Sequence, residues 1–334
     1  MPFGRGNITT ETIKGGNTAM TTRRNFLKSA LVAAAGATGL NRLAADQEAP
    51  VQVDRRPLGR IKAEISILGL GLGSAYTRPW QDRPEESHAL LNMALDHGVN
   101  YWDTARGYGP SERMIGPVVE KRRDEIFLVT KSGNRDYDGF LRDVEASLSD
   151  LQTDRIDLLH IWNLPADADL DRIENGALKA VRRLKDEKVI GHFGISGHSG
   201  AGILMDAIHR FDPDAVLTVF PCTREDDGRY EDELLPLARE RNMGVIAMKM
   251  VRHARNADLE GSDLIRYALS LPGIHCGVVG LDIEAHLREN LKMATDFKPL
   301  SDMESASICR RAQEALAHVP RPWERPGYQD GTPA

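Results

Sequence analysis

The chain is poor in the features that define several large protein classes. It has three cysteines in 334 residues, Cys222, Cys276 and Cys309, odd in number, far apart and without a C-x-x-C pair. That pattern suggests neither a disulfide framework nor a zinc or iron–sulfur site, and reads as buried, inert thiols. Ten histidines include no early His-x-His pair of the kind a metal-dependent barrel hydrolase uses, so no metal is expected. His192, His198, His253 and His275 read instead as loop or core histidines. Basic charge is not in surplus either: 43 Lys and Arg face 49 Asp and Glu, a net charge of −6. A nucleic-acid partner is therefore not expected.

What the chain does have begins with a leader. The small-residue apolar run Ala30 to Leu40 is too short for a membrane-spanning helix, which needs roughly 20 residues. It has the proportions of a secretory signal. Arg23-Arg24, followed by Phe26, Leu27 and Lys28, resembles the twin-arginine (Tat) export signal, with Leu43-Ala44-Ala45 as a cleavage site before Asp46 and Met20 as an alternative start. The competing reading is an uncleaved anchor or a chance Arg pair. The resemblance implies export of a folded protein through the Tat machinery to the periplasm, and no stable membrane insertion after cleavage. Residues 1–45 are thus a signal peptide and leader, 46–300 the folded domain, and 301–334 a C-terminal helix, with Ile308, Ala312 and Leu316 aligned, running into a loose Pro-rich tail. Without the first 45 residues the net charge falls to −11.

From Ile65 onward, short apolar runs alternate with amphipathic stretches, the pattern of parallel strands joined by crossover helices. Eight strands are predicted: Ile65 to Leu70, Val99 to Asp103, Ile126 to Thr130, Ile156 to Trp162, His192 to Ser196, Ala215 to Phe220, Val245 to Lys249 and Gly277 to Gly280. The first crossover helix has Pro84 in its first turn, Leu90, Met93 and Ala94 on one face, and Gly98 as its stop. Asp171 to Lys188 reads as one helix, with Ile173, Ala177, Leu178, Val181 and Leu184 in a stripe. Eight such units close into a single-domain (β/α)8 TIM barrel. The run Gly69-Leu70-Gly71-Leu72-Gly73 offers a dinucleotide-type turn, but Tyr76, Arg78 and Pro79 read as continuing loop, so it is taken as a tight strand exit.

Active sites of such barrels lie at the C-terminal strand ends. There the second strand offers Asp103 and, just beyond, Tyr108; the third offers Lys131; the fourth His160 and Trp162. A phenol is a poor acid at neutral pH, but an adjacent ammonium stabilises its phenolate, and a carboxylate can hold that ammonium charged and in place. Such a donor can protonate a carbonyl oxygen as hydride reaches its carbon.

Gly98 through Gly116, containing Asp-Thr-Ala-Arg-Gly-Tyr-Gly-Pro-Ser-Glu-Arg, resembles the aldo-keto reductase signature. Leu58-Gly59-Arg60, Ile67 to Gly71, Phe127 to Lys131, Gly191 to His198 and Val278 to Asn290 agree with that family in order, so the resemblance spans roughly Arg56 to Asn290. It implies an NAD(P)-dependent oxidoreductase reducing an aldehyde or ketone, with Tyr108 as acid donor, Lys131 as the cation beside it and Asp103 as positioning carboxylate. The family's catalytic His falls on Trp162, with His160 two residues earlier on the same strand face and deeper by roughly 6–7 Å. Either His160 substitutes through a water, or that donor is lost and Trp162 shapes the pocket.

By the same resemblance, cofactor contacts fall on Ser196 and Gly197 (the family has Ser-Asn), on Thr218 near a family Gln, on Met248 beside Lys249 where the family stacks an aromatic, on Gly280 and His286 at its 2′-phosphate contacts, and on Glu289 and Asn290 at its adenine-side pair. The cofactor is NADP(H) or NAD(H), with no metal. Trp80, Trp162 and Arg252 to Asn256 are expected as substrate-pocket walls. A catalytically weak, cofactor-binding barrel acting as sensor or accessory protein is the alternative, motivated by Trp162, Gly197 and Met248.

Overall fold

A parallel strand buried on both faces presents an unbroken apolar run, and this is why the eight strands were readable. A computed structural model of the chain describes residues 50–224, 226–251 and 259–316. The leader, the Arg252 to Asn256 segment and the tail beyond 316 lie outside the described residues. Two short strands come first, β1 Arg55–Pro57 and β2 Glu64–Ser66, paired as an antiparallel hairpin. The barrel strands follow: β3 Leu68–Gly71, β4 Tyr101–Asp103, β5 Phe127–Ser132, β6 Ile156–Ile161, β7 Ile190–Ser196, β8 Ala215–Val219, β9 Gly244–Met248 and β10 Cys276–Gly280. Each pairs in parallel with its neighbour, and β10 pairs with β3 to close the ring.

The helices are α1 Ser74–Trp80, α2 Pro84–Asp96, α3 Ser111–Arg122, α4 Tyr137–Leu151, α5 Leu170–Asn175, α6 Ala177–Asp186, α7 Ala201–Phe211, α8 Leu235–Glu240, α9 Gly261–Ser270, α10 Glu284–Thr295 and α11 Asp302–Leu316. Three local expectations change. Ile65 and Ser66 belong to the hairpin: the Ser66 backbone N–H donates to the Asn100 side chain at 2.7 Å, and the barrel ladder starts only at Leu68. Ser74–Trp80 is a helix although Pro79 lies inside it: the proline removes one i→i−4 bond, and the ladder resumes with the Gln81 N–H on the Thr77 carbonyl at 2.9 Å. The single helix expected over Asp171 to Lys188 is two, broken at Gly176, where a Cβ would stand 2.1 Å from the Arg135 carbonyl oxygen. That oxygen instead accepts the Ala177 N–H at 2.8 Å.

One register row explains the interior near the site. Lys131 is level with His160, His160 with Gly194, Gly194 with Ala215, and Ala215 with Gly244. Two large polar side chains are therefore balanced by three positions of minimal bulk. The match is tight: a Cβ on Gly194 would lie 2.6 Å from the His160 ring. At the other end of the row, a Cβ on Gly244 would lie 2.6 Å from Leu58 Cδ1. On the outside, α11 buries Ile308, Ala312 and Leu316 as the sequence stripe predicts, and shares a small apolar cluster with Cys222, Leu264 and Tyr267. All three cysteines are free thiols, and burial pushes Cys222 up to about 12. Among the described residues no helix is long and apolar enough to cross a membrane.

Candidate active site

The last residue of β4 and the penultimate residue of β5 bring opposite charges together inside the barrel mouth. Lys131 Nζ donates to Asp103 Oδ2 at 2.6 Å, to the Thr104 carbonyl at 2.7 Å and to the Tyr108 phenolic oxygen at 3.4 Å. Lys131 is 1% exposed and Asp103 3%. An ammonium is tolerated at such depth only with a full set of acceptors, and these three supply it. Because the ammonium donates to the phenolic oxygen, the Tyr108 hydrogen is directed to a different acceptor. Tyr108 itself is half-buried.

A second polar network holds the loop that carries Tyr108. Arg106 Nη1 donates to Glu112 Oε2 and to Asp150 Oδ2, both at 2.7 Å, and Thr130 donates to Glu112 Oε1 at 2.6 Å. Glu112 is 2% exposed, and burial raises its pKa against the pull of Thr130, Ser147 and Arg106. The loop is also tied across its base, where the Thr104 and Ser111 hydroxyls meet at 2.7 Å and Ser111 donates to the Leu72 carbonyl at 2.5 Å. Sequence reading missed this clamp, since its partners come from α3, α4 and β5.

Trp162 lies one residue past the end of β6, and depth separates it from His160. His160 is fully buried, its Nδ1 3.1 Å from the Ile195 carbonyl oxygen. A carbonyl only accepts, so Nδ1 carries the hydrogen and a neutral ring has a bare Nε2. Burial, then the nearby Lys131 ammonium, push the imidazole down to about 3. The structure therefore does not bring His160 to the mouth as a donor. Trp162 is there instead, its ring edge-on to Tyr108 at 5.6 Å and 83°.

The expected cofactor residues divide into two groups. Ser196 ends β7 and Gly197 follows it; Ser196 is 1% exposed and its Oγ has no hydrogen-bond partner among the described residues. An Asn at 197 is excluded sterically, because a Cβ there would be 2.8 Å from the Leu164 carbonyl oxygen. Thr218 is fully buried and spends its hydroxyl on the Gly197 carbonyl at 2.8 Å, so it braces the β7 end and does not line the mouth. Met248 is 8% exposed, and Lys249 follows it in a left-handed conformation, φ 56°.

Gly280, His286, Glu289 and Asn290 come together in a cleft of about 1250 Å³ between β10, α1 and the first turns of α9 and α10. Its wall also includes Arg78, unforeseen because α1 was read as loop, and Glu260 just before α9. The first turns of α9 and α10 offer backbone N–H groups to an anionic ligand. Through the β3–α1 turn the cleft adjoins the mouth: Ser74 lines it, and a Cβ on Gly73 would be 3.5 Å from the Tyr108 ring. Trp80 is not a wall of it. Its indole N–H donates to the Leu281 carbonyl at 2.9 Å and Arg83 covers its ring, so it pins α1 to the turn after β10. No group of His, Cys, Asp and Glu among the described residues is arranged to hold a metal.

A closed (β/α)8 barrel with a buried lysine–carboxylate pair beneath a mouth tyrosine defines the class. The model of the aldo/keto reductase family matches residues 67–259, more than half of the chain, and the protein belongs to that family. It is 30% identical over 207 residues to the uncharacterized oxidoreductase YqkF of Bacillus subtilis (strain 168), covering 58% of this chain and 63% of that protein. It is 28% identical over 229 residues to a D-threo-aldose 1-dehydrogenase of Pseudomonas sp, covering 55% of this chain and 66% of the relative. Among solved structures, PA4992 from Pseudomonas aeruginosa superposes with a TM-score of 0.62 at 26% identity, covering 74% of this chain and 97% of that one.

Proposed function

We propose that the protein is an NAD(P)-dependent oxidoreductase that interconverts an aldehyde or ketone and the corresponding alcohol at the mouth above Tyr108. The observation that carries this reading is the 3.4 Å approach of the buried Lys131 ammonium to the Tyr108 oxygen. A bound nicotinamide dinucleotide supplies or accepts the hydride. The chain's residues fit that group: the buried Ser196 Oγ needs a polar partner, and the cleft beyond Gly73 has room for an adenosine phosphate. In reduction, Tyr108 Oη passes its proton to the carbonyl oxygen, and the Lys131 ammonium stabilises the phenolate left behind. Asp103 keeps that ammonium charged and aimed. Trp162 forms one wall and excludes water from the proton path, while Met248 gives a flat ring a polarizable surface to pack on. His160 acts only as a filler beside Lys131, on the neighbouring strand.

Titration of purified protein with NADH and NADPH, followed by turnover on aldehydes and ketones and on sugar lactols in the oxidative direction, tests the reading. Fluorescence quenching and turnover are expected together. Quenching without turnover in either direction would favour the sensor or accessory role instead. We also propose Tat-dependent export to the periplasm, on the Arg23-Arg24 leader. Changing both arginines to Lys should retain the full chain in the cytoplasm on fractionation; unchanged export would exclude this route.

A further inference from the structure

We infer that Trp162 is a positioning residue for Tyr108: its indole, seated against Gly107, sets where the phenol stands relative to Lys131. The inference rests on the reading of Tyr108 as proton donor, and goes beyond the pocket wall that Trp162 forms to a restraint on the donor itself. Tyr108 needs such a restraint. It is flanked by Gly107 and by Gly109, the latter in a left-handed conformation at φ 61°, and glycines leave a loop its greatest backbone freedom. The Lys131 ammonium reaches the phenolic oxygen at 3.4 Å, near the outer limit for a hydrogen bond, so a small outward shift of the ring ends the contact.

The indole meets this loop twice. It stands edge-on to the Tyr108 ring at 5.6 Å, and it lies against the preceding residue, where a Cβ on Gly107 would be 2.6 Å from Cζ3 and 2.7 Å from Cη2. The Gly107 backbone lies outside the left-handed region, so the ring and not the main chain excludes a side chain there. A wall for substrate needs only a face turned to the mouth; this ring is fitted to the loop of the donor as well. The main chain that carries the indole is itself tied down. The Trp162 N–H donates to the Ser132 carbonyl at 3.0 Å, and Arg135, between β5 and α4, donates to the Trp162 and Asn163 carbonyls at 3.0 and 2.5 Å. On the other side, Asn163 Nδ2 lies 3.3 Å from His198 Nε2, just past the end of β7. The exit of β6 is thus fastened to the loops on both flanks, and one flat ring passes that rigidity to the tyrosine.

The test is a reciprocal pair of substitutions, with kcat, KM and nucleotide affinity measured for each. Gly107→Ala drives a methyl into the indole, and Trp162→Phe withdraws the outer ring atoms from Gly107. Each should lower kcat at least about tenfold and leave KM and nucleotide affinity within about threefold, the pattern of a reacting group held out of place. The double variant should return to within about threefold of the original kcat, because the methyl fills the room that the smaller ring leaves. Hydrogen exchange follows the same restraint without turnover. The Arg106 and Tyr108 amides, which donate to the Lys131 and Ala105 carbonyls at 3.0 Å, should exchange at least about fivefold faster in each single variant and near the original rate in the double. Thermal melts separate loss of fold from loss of position, and Trp162→Ala, with larger losses than Trp162→Phe, serves should Gly107→Ala not fold. Losses that fall on KM alone, additive losses in the double variant, or exchange indifferent to the substitutions overturn the inference. Absence of turnover in the unsubstituted protein removes the proton-donor reading instead, and the exchange rates then decide the restraint by themselves.

Discussion

Tyr108→Phe is expected to lower kcat for carbonyl reduction by a factor of roughly 10²–10⁴, the usual contribution of one positioned proton donor. The substitution removes one oxygen from a half-buried ring and leaves its edge-on contact with Trp162, so the fold and the cleft beyond Gly73 should persist. Nucleotide affinity should stay within about twofold, because the phenolic oxygen serves the proton and not the binding of the dinucleotide. Measuring both quantities on one preparation makes the result decisive. A kcat reduced by less than about tenfold would mean that the proton comes from another group or from water, and the assignment of Tyr108 would fail.

The second large effect is on stability. Asp103→Asn should destabilise the fold by about 3–5 kcal/mol, the cost of removing one partner from a buried ion pair. The pair is fully enclosed, so solvent does not screen it: the side chains of Lys131 and Asp103 are 1% and 5% exposed. After the substitution, an amide oxygen at 103 can still accept from Nζ, but the buried ammonium no longer has a negative charge to offset it. Folding then favours the neutral amine, which cannot stabilise a phenolate, so activity should fall alongside stability. Replacing Lys131 by Met in the same protein should recover part of the stability and none of the activity. Urea unfolding of the two single variants and the double variant provides the cycle. A loss under about 1 kcal/mol for Asp103→Asn would show that the pair is not held as described.

These expectations depend on residues that differ in how well the sequence announces them. The barrel was legible because strands covered on both faces are apolar throughout, and because crossover helices repeat at a regular interval. Asp103, Tyr108 and Lys131 were legible because strand ends of such a barrel converge whatever lies between them. The Arg106–Glu112–Asp150 clamp was not, since its geometry depends on three packed elements. Trp80 was misplaced for a related reason: its partner, the Leu281 carbonyl, is 201 positions away in the chain. The split at Gly176 likewise follows from a carbonyl at Arg135, far from the helix it interrupts. For His160, strand spacing already placed it deeper than Trp162, and only the structure showed that it is enclosed completely. The loop reading of Tyr76, Arg78 and Pro79 missed that the helical ladder carries on past the proline, with the Gln81 N–H on the Thr77 carbonyl.

The contact between Gly194 and the His160 ring has an evolutionary corollary. Any side chain at 194 must evict the imidazole, and a smaller residue at 160 opens a void beside the lysine on which the proposed chemistry relies. Neither position can drift by itself without harm. In lineages that keep this lysine–carboxylate pair, the two sites should therefore be inherited as a matched couple, changing together or staying as they are.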